Sequence, residues 1–180
     1  MLMRKNLPYV VLVSALLCGG TTFAGTSKDD IAALQKASVP MTNAIAAAEK
    51  ASGGKAIDAT FNEKSKVGGF FDVAVISGDK TEHYTVDAMM QTAAATKNNS
   101  VIAKLDREGG TEKSDLQAAK VSLSEAVSKA ESSVRGKAIE AELEHRDKTG
   151  VYMIDVVDSS NNVVKVSVDS MTGAVTSTKS

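Results

Sequence analysis

The sequence predicts an α+β fold of two tandem repeats, each a helix packed on a three-stranded antiparallel sheet. Three observations carry this expectation. The chain matches itself at an offset of 82 residues. In each copy, a run of apolar residues at helical spacing gives way to runs that alternate with period two. Turn-forming residues separate those alternating runs.

At that offset Leu34-Gln35 meets Leu116-Gln117, Val39 meets Val121, and Ala48-Glu49 meets Ala130-Glu131. Gly54-Lys55-Ala56-Ile57 meets Gly136-Lys137-Ala138-Ile139. From Thr42 to Phe61 there are 8 identities in 20 positions. A one-residue slip pairs Gly69-Phe70-Phe71 with Gly150-Val151-Tyr152, and the first offset returns at Val86-Asp87 and Val168-Asp169. A slip that is later cancelled is the mark of duplication with a change in loop length, rather than chance likeness in Ala-rich sequence.

The second copy is the clearer one. Ser122-Leu123-Ser124-Glu125 is a capping box, in which serine and glutamate each satisfy an amide of the first turn. Leu123, Ala126, Val127, Ala130 and Val134 then form one apolar stripe, with Gly136 as the expected C-cap. Ile139, Ala141 and Leu143 alternate with Glu140, Glu142 and Glu144 as a half-buried strand. Tyr152, Ile154 and Val156 make a second strand, and Val164, Val166 and Val168 a third, with Ser159-Ser160-Asn161-Asn162 turning between them.

In the first copy Met41, Ala44, Ile45 and Ala48 make the helical stripe, opened by Pro40 and closed by Gly53-Gly54. The strands are expected at Ile57-Ala59-Phe61, Phe71-Val73-Val75 and Tyr84-Val86, turning at Ser77-Gly78-Asp79. Asp30 to Ala37 and Asp115 to Ala119 are expected to add a helical turn or two ahead of each main helix. The outer face of each sheet is expected to be wet. This copy departs at its exit: Glu82 stands where the second has Val164, and Met89 to Thr92 replaces the Met171-Thr172-Gly173-Ala174 turn. Val101, Ala103 and Leu105 are expected to form a short extra strand before Glu108-Gly109-Gly110 interrupts the chain. The repeats are therefore expected at residues 25–105 and 106–180.

Residues 1–24 read as a signal peptide. Arg4 and Lys5 precede a charge-free apolar run from Leu7 to Cys18, and Thr22-Phe23-Ala24 offers small residues for cleavage. Twelve residues span roughly 18 Å as a helix, short of a ~30 Å hydrocarbon core. An uncleaved anchor and a lipidated Cys18 are the alternatives, although Leu17 stands where a lipidation motif wants Gly or Ala. Cleavage removes the only cysteine, so no disulfide or thiolate site is expected. It also leaves 19 of the 21 basic residues against 22 acidic ones, with no basic tract and no Trp. That balance excludes an electrostatic footprint for nucleic acid.

The second copy resembles the PepSY domain, over Ser122-Leu123-Ser124-Glu125-Ala126, Gly136-Lys137-Ala138, Gly150-Val151-Tyr152-Met153-Ile154-Asp155-Val156 and Val166-Ser167-Val168-Asp169-Ser170-Met171-Thr172-Gly173-Ala174-Val175. The first copy resembles it over the helix and first two strands and lacks the Thr-Gly turn. The resemblance implies a helix on an antiparallel sheet, extracytoplasmic placement, and an inhibitory or chaperone-like role towards peptidases. It brings no catalytic residues.

No catalytic, cofactor-binding or metal-ligating residue is assigned, and no cofactor is expected. His83 and His145 fall at unlike positions and read as solvent-facing. Met41, Met89, Met90, Met153 and Met171 could suit Cu(I) by softness but are scattered in the sequence. Glu140, Glu142 and Glu144, with Asp155 nearby, read as a solvated acidic face or as a recognition surface for a basic partner. Gly53-Gly54-Lys55 lacks the upstream glycine and following Ser/Thr of a phosphate loop, and no G-x-S-x-G elbow occurs.

The expectation is a non-enzymatic exported binding module, periplasmic or secreted, that modulates a peptidase or another envelope protein. It has no nucleic-acid partner and no stable membrane insertion after signal cleavage. The alternative is a periplasmic small-ligand or metal sensor or carrier.

Overall fold

The computed structural model describes residues 26–65, 68–90, 92–98, 109–146 and 149–179. The expected signal peptide, Cys18 and the Val101-Ala103-Leu105 strand lie outside these residues.

Two helices, α1 (Lys28–Lys36) and α2 (Met41–Ser52), precede strands β1 (Lys55–Ser65), β2 (Gly68–Ser77), β3 (Lys80–Asp87) and β4 (Ala95–Lys97). The order then recurs with α3 (Gly109–Ala118), α4 (Leu123–Val134), β5 (Lys137–Arg146), β6 (Thr149–Val157), β7 (Val163–Asp169) and β8 (Val175–Lys179). The strands form one antiparallel sheet in the order β4-β3-β2-β1-β5-β6-β7-β8.

This corrects the expectation of two separate three-stranded sheets. The first strand of a three-stranded meander is an open edge with unpaired backbone groups. Here β1 and β5 satisfy each other, pairing Asp58 with Glu142, Ala59 with Ala141 and Thr60 with Glu140. Each side also gains an outer strand, β4 or β8. The leading helices are nine and ten residues long, more than the turn or two expected. Ser27 and Asp30 form a capping box at the start of α1.

Alternation along the strands puts Ala59, Phe71, Val73, Val75 and Val86 on one face with Ala141, Tyr152, Ile154, Val156, Val166 and Val168, all fully buried. They form one core with Met41, Ala44, Ile45 and Ala48 of α2 and Leu123, Ala126, Val127 and Ala130 of α4. The small alanines let α2 and α4 lie close to the sheet and to each other. Phe61 and Phe71 meet edge to face at 5.3 Å.

Residues 82 apart hold matching places. Glu49 accepts from the Ala56 amide at 3.0 Å, and Glu131 from the Ala138 amide at 2.9 Å. The Ser38 and Val39 amides donate to Ala88, as those of Lys120 and Val121 do to Ser170. Both β1 and β5 shift register after the first alanine, between Ala56 and Asp58 and between Ala138 and Glu140. The seam obeys the same relation, so a local two-fold axis passes between Ala59 and Ala141.

The helix exits differ from expectation. Gly53 takes the left-handed conformation in the first half, but in the second Arg135 does so, at φ 59°. Gly136 is required for another reason: a Cβ there would lie 2.2 Å from the Val157 carbonyl oxygen.

Candidate functional site

The face of the sheet away from the buried apolar rows carries most of the unusual chemistry. Alternation places Asp58, Asp72, Ala74 and His83 there from the first half, and Glu140, Glu142, Asp155 and Lys165 from the second. Sequence reasoning read this face as wet. The structure corrects that at its centre, where Ala74, Asp155 and Val157 are buried at 2%, 7% and 1% exposure.

The carboxylates at the seam are unsettled by their surroundings. Burial pushes Asp58 well above the ordinary carboxylate range, reinforced by Glu142, Glu140, Asp72 and Glu112. Burial pushes Glu140 up to about 7, with Asp155 and Glu142 adding to the rise and Lys165 opposing it. Glu142 is raised by burial and then by Glu144 and Glu112. Asp155 instead has a cationic partner, the Lys165 ammonium at 2.9 Å.

A cavity of about 210 Å³ lies beside Asp58, lined also by Ile57, Ala74, His83, Glu112, Glu142 and Leu143. His83 Nδ1 is 3.3 Å from Asp72, while its buried Nε2 has no protein hydrogen-bond partner among the described residues. Thus His83 is half-buried, against the solvent-facing expectation. His145 is exposed and lies 2.8 Å from Asp115, a separate carboxylate on α3. The structure gives the two histidines different partners and makes no common site of them.

The methionines are likewise dispersed. Met41 is core, Met89 packs beside Gly68, Met90 is exposed and Met153 receives the Ser167 hydroxyl at 3.3 Å. Among the described residues no group of three or more His, Cys, Asp or Glu side chains is arranged to hold a metal ion. Glu144 is paired with Arg146. Gly53-Gly54-Lys55 is a helix exit, with Gly54 pressed against the Ile76 carbonyl.

Sequence reasoning found Glu140, Glu142 and Asp155 but missed Asp58, Asp72 and Glu112. Asp58 was within reach, since it stands 82 residues before Glu140. Recognising its role required knowing that β1 and β5 pair.

Residues 120–179 match the PepSY family. The matching family model is described as "Peptidase propeptide and YPEB domain". The PepSY match takes in α4 and β5 to β8, a third of the chain. It supports a non-catalytic, protein-interaction role for this segment. No curated protein matches the chain. A crystal structure of a chain described as a lipoprotein from Clostridium difficile 630 is similar at 22% identity and a TM-score of 0.44. That likeness covers 79% of this chain and 93% of the other. No helix among the described residues is long and apolar enough to cross a membrane, a statement that says nothing of β-barrels.

Proposed function

We propose that this is an exported, non-enzymatic binding module that modulates a peptidase or another envelope protein in the periplasm or outside the cell. The observation that carries the reading is the PepSY match over residues 120–179. We further read the chain as two PepSY-like units, residues 25–105 and 106–180, fused through their first strands. The matching bonds of Glu49 and Glu131 support that reading.

Two surfaces suit such a role. The β8 strand ends the sheet, and an extended segment of a partner could add to it through backbone hydrogen bonds. The carboxylate-rich face would instead favour a basic partner. The experiment is to add the purified protein to an exported peptidase fraction and measure both peptidase activity and retention on immobilised protein. Altered activity together with salt-resistant retention supports edge addition, and salt-sensitive retention supports the acidic face. Unchanged activity with no retained peptidase or envelope protein would overturn the reading.

A further inference from the structure

We propose that the β1–β5 joint is a pH-responsive seam, tight while Asp58, Glu140 and Glu142 hold protons and loosened when they ionise together. This goes beyond the binding role and does not depend on it. Among the described residues the joint is the only strand pairing between the two halves, and its register runs over three residue pairs, against nine for β1–β2 and nine for β5–β6. Within those three pairs Asp58 stands directly opposite Glu142, and Glu140 lies diagonally beyond on the same face. Opposed like charges weaken a strand pair. A joint of only three residue pairs therefore carries opposed like charge.

The groups facing these carboxylates come from every neighbouring element. Asp72 on β2, Glu112 on α3, Glu144 on β5 and Asp155 on β6 add negative charge. Lys165 on β7 pairs with Asp155, and the His83 ring on β3 faces Asp72. No cation from β1 or β5 is paired with Asp58 or Glu142 among the described ion pairs.

All three seam carboxyls are raised in the folded protein, Glu140 to about 7. Folded protein thus binds more protons than unfolded chain between the ordinary carboxylate range and neutrality. Stability from these groups is fully present below that ordinary range and is lost as pH rises towards 7 and above.

The test is thermal unfolding and amide exchange of the full chain at pH 5.5 and pH 8.5, with exchange expressed as protection factors to remove its intrinsic pH dependence. We expect Tm to be lower by roughly 5 °C at pH 8.5. Protection of residues 58–60 and 140–142 should fall roughly tenfold, and that of β2–β3 and β6–β7 less than about twofold. The variant E140Q/E142Q should lose most of both differences. Glu142→Thr, which copies the residue at the matching position 60, should lose part of them and serves if the double variant does not fold. Equal pH dependence in wild type and variants, or protection lost evenly across the sheet, would overturn the proposal.

Discussion

Glu131 does more than its place on the half-exposed side of a helix suggests. Its carboxylate accepts from the Ala138 amide at the start of β5, where the register shift leaves that donor free of the ladder. Replacing it with alanine strands a buried amide, so Glu131→Ala should cost about 1–3 kcal/mol in chemical denaturation. Glu49→Ala should do the same at Ala56. At the opposite end of α4, Ser122→Ala removes a cap that accepts from Glu125 at 3.2 Å and should cost about 1 kcal/mol. The capping box was legible because its residues lie three apart on one turn. The roles of Glu49 and Glu131 were not, although the repeat marked both: each bond crosses seven residues and depends on where a strand begins.

Among the elements, the two main helices and the inner three strands of each half follow from period alone. Val127 of α4 is fully buried, and Val127→Asp would place a carboxylate in the core without a partner. A loss of several kcal/mol, seen as a lower Tm, is the expected result, and an unchanged melt would misplace the stripe. The leading helices were only partly legible. The α1 stretch is short and buries only Ala33 and Leu34 as its core residues, so its signal is faint at the sequence level. Its end is held from a distance, by the Lys137 ammonium 3.1 Å from the Gln35 carbonyl. No local pattern encodes that contact. The outer strands were missed for a related reason: β4 has three residues and gains its order from β3.

On the scale of the whole molecule, one sheet rather than two is what the sequence did not disclose. Ala59 and Ala141 read as ordinary inward positions of separate strands. Their closeness across the local two-fold axis appears only once β1 and β5 are adjacent. Because both are fully buried there, Ala59→Leu should overpack the seam from both halves and cost about 1–3 kcal/mol. Denaturation should register the loss, and amide exchange should concentrate it at residues 58–60 and 140–142.

The seam also orders events during folding. Among the described residues every other pairing joins strands that follow one another along the chain, whereas Ala59 and Ala141 are 82 residues apart. Closing so long a loop is slow compared with forming a hairpin, so each meander is expected to assemble first and the seam last. Until then β1 and β5 are unprotected edges, open to pairing with strangers. Ionised Asp58, Glu140 and Glu142 would repel a second copy on those edges. Refolding E140Q/E142Q at pH 8 should therefore scatter more light than wild type, with the excess growing with protein concentration. The carboxylates that strain the finished joint would then be the guards of its unfinished one.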